Sequence, residues 1–317
     1  MDFIIIKEVF LIIKVELQFP SSNGVNQIFS SCWKPEIEPI AVLQISHGMA
    51  EFIDRYTDFA EFLTGHGFLV VGNDHLGHGR SVAARSDFGY FSKKNSKDYV
   101  IEDIYALHQL VKQDYPTLPY FLMGHSMGSF IVRNYLQKYG ASVDGAIIMG
   151  TSGPKLETAL ILPILEVLNK LQPRKQNKWV DQLAFGSFNN YFPEDAAEFA
   201  WLSENQENVQ RYMDHPQTGF IFTNNGFLTL FTLLQDATKP GWANPIPREL
   251  PLLIISGEDD PVGQMGVGIR KVFRELEELD FVDITFCSYP TMRHEILMET
   301  NHLLVYSDIL DWLSKHL

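Results

Sequence analysis

Four short runs, Phe68–Asn73, Tyr120–Gly124, Gly145–Gly150 and Leu252–Ser256, are continuously apolar where a half-exposed strand would alternate. A strand of this kind is buried on both faces, which happens where helices cover both sides of a parallel sheet. Four more runs have strand patterns: Lys14–Phe19, Gln27–Trp33, Ile40–Ser46 and Val282–Tyr289. The first two flank Pro20-Ser21-Ser22-Asn23-Gly24 and read as an antiparallel hairpin at the sheet edge. Helical stretches fill the gaps. Asp54–His66 carries Tyr56, Phe59, Phe62 and Leu63 and stops at Gly67; Asp98–Tyr115 carries an apolar stripe and stops before Pro116. Ser126–Tyr139, Gly263–Leu279 and Ile296–Leu317 follow later strands. This alternation predicts an α/β fold, a mostly parallel eight-stranded sheet with helices on both faces.

One segment breaks the alternation. Residues 153–222 have no strand pattern, only helix-like pieces joined by Pro154, Pro163, Pro173 and Pro193. We expect an inserted helical cap there, with residues 1–152 and 223–317 forming the core. Within it, Ala159–Leu171 is nearly all apolar, only Glu166, Asn169 and Lys170 being polar. Such a helix either packs flat on the core or forms a lid over an apolar site. On the second reading Leu160, Ile161, Ile164 and Leu165 are candidate substrate-side residues.

Composition excludes several classes. A net charge of −14 repels phosphate backbones, so no nucleic-acid partner is expected. Twenty-three Phe, twelve Tyr and five Trp supply a large core and rule out intrinsic disorder. The two cysteines, Cys32 and Cys287, form neither a disulfide scaffold nor a CxxC metal motif. They read as reduced cytoplasmic thiols, and no metal or cofactor is called for. The run MDFIIIKEVFLII at residues 1–13 is interrupted by Lys7 and Glu8, lacks a small-residue cleavage site and is too short to span a bilayer. It reads as an N-terminal strand or an upstream extension, with interfacial anchoring as the alternative.

The chemistry starts at Gly124-His125-Ser126-Met127-Gly128, a G-x-S-x-G motif whose weight comes from its context. It follows an apolar strand directly and opens a helix. That setting makes a strained turn exposing the serine, with tiny flanking residues, Gly124 and Gly128, so the turn can close. A serine hydroxyl is a weak nucleophile and needs a base oriented by a carboxylate. In a sheet of this kind both come from loops after later strands, in the order Ser, acid, His. The loop after Leu252–Ser256 holds Glu258, Asp259 and Asp260; we take Asp260, which precedes Pro261-Val262 where the chain must turn. The loop after Val282–Tyr289 supplies His294, better placed than His302 or His215. Acyl transfer also needs oxyanion donors. The N–H of Met127, at a helix N-terminus, is one; the N–H of Met49, after Gly48 in the turn His47-Gly48-Met49-Ala50-Glu51, is the other.

The chain resembles α/β-hydrolases of the monoacylglycerol lipase and lysophospholipase group, also called serine aminopeptidase-like hydrolases. The motifs that carry the resemblance are HGMAEFIDRY (47–56), NDHLGHGRS (73–81), GHSMGS (124–129), SGEDDPV (256–262) and MRHEILME (292–299), in the family's order over nearly the whole chain. The resemblance implies the triad Ser126, Asp260 and His294, oxyanion donors Met49 and Met127, and a helical cap between the sixth and seventh strands. It also leaves Glu51 as a candidate near a polar head group. From the residues themselves, Glu51 and Arg55 read as a helix-supporting pair, and Asp74 and Arg80 as a pair bracing a tight loop. The cap and the N-terminus depart most from the family.

The leading expectation is a serine hydrolase cleaving carboxylic esters of acyl chains, of monoacylglycerol or lysophospholipid type, through an acyl-enzyme. A peptidase or amidase, a general carboxylesterase, or a non-catalytic binding protein on the same fold are the alternatives. The expected partner is a small acyl ester, with transient contact with membrane or lipid aggregates left open. The expected location is cytoplasmic, including the membrane periphery.

Overall fold

The computed structural model describes residues 13–94, 96–195 and 197–317. Eight strands form one sheet: β1 (Ile13–Pro20), β2 (Gln27–Lys34), β3 (Ala41–Ser46), β4 (Phe68–Asn73), β5 (Tyr120–His125), β6 (Gly145–Met149), β7 (Leu252–Gly257) and β8 (Ile284–Tyr289). Their order is β1-β2-β4-β3-β5-β6-β7-β8. β2 pairs antiparallel with both β1 and β4, and every later pairing is parallel. The hairpin thus sits at the edge, as its turn residues predict. The N-terminal run lies outside the described residues up to residue 12.

The four continuously apolar runs are β4 to β7, and all their residues are buried. Successive side chains divide between two cores, as the two-residue strand period requires. Leu69, Val71, Leu122, Ala146, Ile148, Leu252 and Ile254 enter one core; Phe68, Val70, Phe121, Met123, Ile147, Met149, Leu253 and Ile255 enter the other. The second core is closed by α1 (Thr57–Gly65) and α9 (His302–Lys315), through residues such as Phe59, Leu63, Ile309 and Trp312. The first is closed by α2 (Ser96–Asp114), α3 (Met127–Tyr139) and α8 (Val267–Glu278), with Ile104, Ile131 and Val272 among its members. The buried polar Gln44 of β3 is satisfied: Tyr120 Oη donates to its Oε1 at 2.6 Å and its Nε2 donates to the Ile104 carbonyl at 3.0 Å.

Between β6 and β7 the chain leaves the sheet for α4 (Leu156–Leu171), α5 (Lys178–Phe185) and α6 (Gln206–Asp214), then returns in α7 (Asn224–Thr238). α7 is capped by Thr223 and packs beside α3, where Asn134 Nδ2 donates to the Leu233 carbonyl at 3.0 Å. No helix of the described residues is long and apolar enough to cross a membrane.

Three helices differ from expectation. The stretch 263–279 becomes helical only at Val267, because Gln264, Met265 and Gly266 take positive φ values of 57°, 53° and 80°. The stretch 296–317 is split into a 3-10 turn, Ile296–Met298, and α9. At the break Glu299 is extended (φ −70°, ψ 163°) because its carboxylate accepts from Ser203 Oγ at 2.7 Å, from the Glu204 N–H and from the Arg293 N–H at 2.9 Å. The stretch 54–66 likewise begins as a 3-10 turn, Ile53–Tyr56, before α1.

Candidate active site

The C-terminal ends of β3, β5, β7 and β8 converge on one cavity of about 650 Å³, lined by Ser126, Met127, Gly48, Met49, Glu51, Pro261 and His294 among others. At the end of β5 the chain turns through Ser126 with φ 55° and ψ −122°, a strained conformation for a residue with a Cβ, and enters α3 at Met127. The turn closes only because glycines flank it. A Cβ on Gly128 would lie 2.0 Å from the Ser46 carbonyl oxygen, and one on Gly124 would lie 2.3 Å from the Gly128 carbonyl oxygen. Met127 is the first residue of α3, so its N–H belongs to the donors a helix leaves unpaired at its start.

Asp260 is fully buried and pairs with the histidine: its Oδ2 lies 2.9 Å from His294 Nδ1, its Oδ1 accepts the Val262 N–H at 2.8 Å, and Ser256 Oγ donates to Oδ2 at 3.2 Å. Burial acts to raise the Asp260 pKa, but the facing His294 and the Val262 N–H outweigh it and hold the carboxyl below its ordinary value. Its two acidic neighbours lack this contact; Glu258 Oε1, for one, accepts from Ser288 Oγ at 2.9 Å. Of the other histidines weighed, His302 is bonded to the Glu299 carbonyl at the start of α9, and His215 stacks on Phe52 at 4.5 Å.

The turn after β3 is held from both sides. Gly48 N–H donates to Glu51 Oε1 at 2.5 Å and Ala50 N–H donates to His78 Nε2 at 3.2 Å, so the N–H between them, that of Met49, is the one these anchors leave. A Cβ on Gly48 would lie 3.2 Å from Ser126 Cβ, which shows how closely this turn faces the serine. His78 accepts at Nε2, so its Nδ1 carries the proton and donates to the Leu76 carbonyl at 3.0 Å. His47 is fixed in the same way: Nε2 accepts the His75 N–H at 3.0 Å and Nδ1 donates to the Gly48 carbonyl at 2.8 Å. Burial lowers the pKa of His47, His75 and His78, the last to about 3, so all three are neutral at pH 7.

Beneath the turn lies a charged network of which the sequence indicated only one pair. Glu51 accepts from Arg55 Nη1 at 2.7 Å and from Tyr56 Oη at 2.9 Å. Arg55 also grips both oxygens of Glu295, at 2.5 and 2.8 Å, and Asn208 on α6 at 3.2 Å. Through that guanidinium the turn after β3, the histidine loop and α6 become one unit. His125 lies with Nδ1 3.0 Å from Tyr56 Oη and Nε2 3.2 Å from the His294 carbonyl. Burial lowers the His125 pKa, but Glu51 reverses this and the net shift is upward, in keeping with donation from both ring nitrogens. His125, Tyr56, Asn208 and Glu295 escaped the sequence reading because their partners lie up to 240 positions away and no local spacing encodes them.

Other expectations divide. Glu51 lines the cavity, but both its oxygens are engaged by the protein. Of the four apolar residues on α4, Ile161 lines the cavity, Leu165 is fully buried in the core, and Leu160 and Ile164 are exposed to solvent. The helix therefore packs one face on the core and brings Ile161 to the cavity wall, while Leu160 and Ile164 do not reach it. Asp74 does brace the tight loop, but through backbone: it accepts the Arg80 N–H at 2.7 Å and the Ile53 N–H at 2.8 Å. The Arg80 guanidinium turns outward to Glu16 and Asp54. Trp201, 5.2 Å from the His294 ring, joins the wall from the segment between α5 and α6 and had no signal in the sequence.

Residues 37–301 match the family model described as serine aminopeptidase, S33. The chain belongs to that family of hydrolases. Over 311 residues it is 27% identical to a monoacylglycerol lipase of Mycolicibacterium smegmatis, covering 95% of this chain and 98% of the relative. A shorter match, 32% over 152 residues, covers 46% of this chain and 47% of a human monoglyceride lipase. Among solved structures, a carboxyl esterase from Bacillus coagulans in complex with glycerol superposes with a TM-score of 0.90 at 27% identity, covering 95% of this chain and 98% of that one. The family and the α/β-hydrolase fold expected from the motifs are thus both found.

Proposed function

We infer that this chain is a carboxylic ester hydrolase acting on acyl esters of the monoacylglycerol type through an acyl-enzyme. The observation that carries this reading is the strained Ser126 turn sharing one cavity with His294, itself paired with buried Asp260 at 2.9 Å. In the reading, Ser126 Oγ attacks the ester carbonyl while His294 Nε2 takes its proton. The N–H groups of Met49 and Met127 hold the oxyanion, and Asp260 orients the imidazolium. Collapse of the tetrahedral species breaks the acyl–oxygen bond, and His294 returns the proton to the leaving alcohol. Water, deprotonated by His294, then releases the acid and regenerates Ser126. An acyl chain suits the wall built by Phe130, Ile161, Leu230, Phe231 and Leu234, all lining the cavity. The names of the relatives, monoacylglycerol lipase and carboxyl esterase, agree with this class.

Residues 153–222 serve in this reading as the cap. α4 and α5 turn Leu156, Leu160, Val167, Leu171, Trp179 and Leu183 outward, an apolar surface suited to transient contact with lipid aggregates. An aminopeptidase reading needs a free acidic anchor in this region; Asp195 is committed to Arg293 at 2.9 Å, whereas Asp181 and Glu198 line the cavity, so a direct comparison of substrates separates the readings. Turnover of acyl esters of glycerol, compared with aminoacyl-naphthylamides, tests the proposal. We expect the glycerol esters to be cleaved at least about a hundredfold faster, as about 2.7 kcal/mol of discrimination requires. A preference for the amides would refute it.

A further inference from the structure

The loop that carries His294 is fixed immediately before, at and after the histidine. Arg293 N–H donates to Glu299 Oε1 at 2.9 Å, His125 Nε2 lies 3.2 Å from the His294 carbonyl, and Glu295 N–H donates to the Leu202 carbonyl at 2.7 Å. Asp260 holds the ring itself at one point, Nδ1. A bond to one ring nitrogen sets the tilt of an imidazole but not where its Cα stands. The reach of Nε2 into the cavity therefore depends on the backbone bonds as well.

Two of those three bonds lead into the segment between α5 and α6, inside the cap proposed above. Glu299, 2% exposed, accepts at Oε2 from Ser203 Oγ at 2.7 Å, and Glu204 N–H is shared between its two oxygens at 3.1 and 3.0 Å. Asn205 N–H reaches Oε2 at 3.3 Å. A carboxylate buried this deeply is tolerated only where donors meet it, and its charge makes each of those bonds stronger than a neutral one. One carboxylate thus ties the residue before His294 to residues 203–205. Further bonds run alongside: Arg293 Nη1 donates to Asp195 Oδ2 at 2.9 Å and to the Ala200 carbonyl at 2.6 Å. Asn205 Nδ2 donates to the Met298 carbonyl at 3.0 Å, and Asn208 Nδ2 donates to Glu295 Oε2 at 2.7 Å.

We propose that Glu299 is a positioning residue for His294, and that residues 202–205 are the histidine's scaffold rather than a moving part of the cap. The proposal rests on the ester hydrolase reading for the role of His294. A second carboxylate in the molecule separates this role from plain structural support. Asp103 on α2 is also 2% exposed and accepts from Ser21 Oγ at 2.8 Å and from Ser22 N–H at 2.6 Å. The turn it holds joins β1 to β2, at the opposite edge of the sheet from β8.

The test compares Glu299→Gln, Ser203→Ala and Asp103→Asn in the full chain, with kinetics on a soluble short-chain ester and circular dichroism to check the fold. Misplacing a reacting group by about 1 Å can cost on the order of a hundredfold in rate. Glu299→Gln lowers kcat about tenfold to a hundredfold, leaves KM within about twofold, and slows fluorophosphonate labelling by the same factor as kcat. Ser203→Ala removes one donor and lowers kcat about threefold or more, again with KM nearly unchanged. Asp103→Asn loses a comparable buried carboxylate and keeps kcat within about twofold of the wild-type value. A folded Glu299→Gln with wild-type kcat, or an equal loss of kcat in Asp103→Asn, refutes the positioning role. Should Glu299→Gln fail to fold, wild-type kcat in Ser203→Ala refutes it instead. Full turnover in Ser126→Ala overturns the hydrolase reading and the proposal with it, whereas a loss in Ser126→Ala with none in Glu299→Gln overturns the proposal alone.

Discussion

The floor and the roof of the cavity are built differently. The floor, at the C-terminal edge of the sheet, is dense with buried polar groups, each held by others: Glu51, His125, Asp260, His294 and Glu295 are all at most 3% exposed and all hydrogen-bonded. The roof is the reverse. α4 and α5 turn large apolar side chains to solvent, while the buried hydroxyls of Ser152 and Thr158 have no hydrogen-bond partner among the described residues. Pre-organised dipoles suit a reaction whose charge develops at a fixed point, and uncommitted groups suit recognition of a variable ligand. On the proposed reading chemistry belongs to the floor and selectivity to the roof, and substitutions should divide along that line.

The largest effect short of the nucleophile belongs to the floor. Asp260→Asn keeps the shape but removes the charge facing His294, and kcat on a soluble ester should fall about 10³- to 10⁴-fold with the fold retained. Steady-state kinetics with a circular dichroism control measures this; a loss below tenfold would show that the acid is elsewhere. Next comes the arginine that ties the floor together. Arg55→Ala leaves Glu51 and Glu295 buried without their counter-ion and should cost about 3–5 kcal/mol in denaturant unfolding. A cost below 1 kcal/mol would mean the network is incidental.

His78 separates positioning from packing. His78→Phe keeps a ring among Phe91, Phe220 and Phe222 but removes the acceptor for Ala50 N–H beside the Met49 donor. We expect kcat to fall about tenfold with KM nearly unchanged, part of the 10²- to 10³-fold that losing an oxyanion donor costs. The same variant carries a pH signature. A histidine whose folded pKa lies below its unfolded value contributes stability present above about pH 6.5, lost as pH falls toward the folded value. For His78 that window runs from about 6.5 to about 3, so His78→Phe should flatten acid destabilisation there; His125, shifted upward, acts in the opposite sense. Unchanged acid sensitivity would contradict the assignment. The smallest effect belongs to the roof. Leu160→Ser with Ile164→Ser should lower activity about threefold to tenfold on micellar substrate and leave a soluble short-chain ester unaffected, since each exposed side chain adds about 0.5 kcal/mol of partial apolar contact. Equal loss on both would make these residues structural.

The floor was far more legible in the sequence than the roof, for a physical reason. β4 to β7 announce themselves because burial on both faces demands unbroken apolar runs. The glycines around Ser126 announce themselves because carbonyl oxygens approach within 2.0–2.3 Å of where their Cβ atoms would be. Asp260 was chosen among three adjacent acids by the turn at Pro261, and it is the one that meets His294. What stayed hidden were contacts between distant positions. Nothing near Arg55 points to Glu295, nothing in α4 says which of Leu160, Ile161, Ile164 and Leu165 faces inward, and the break at Glu299 comes from a bond to Ser203. Helical periodicity gives a face but not what that face meets.

The central claim, that the floor is a working nucleophile site, is tested most directly by covalent labelling with an active-site fluorophosphonate followed by peptide mass mapping. The account predicts stoichiometric labelling on Ser126 alone, abolished in Ser126→Ala together with at least about a thousandfold loss of esterase turnover. Full turnover in Ser126→Ala, or labelling at another serine, would contradict it.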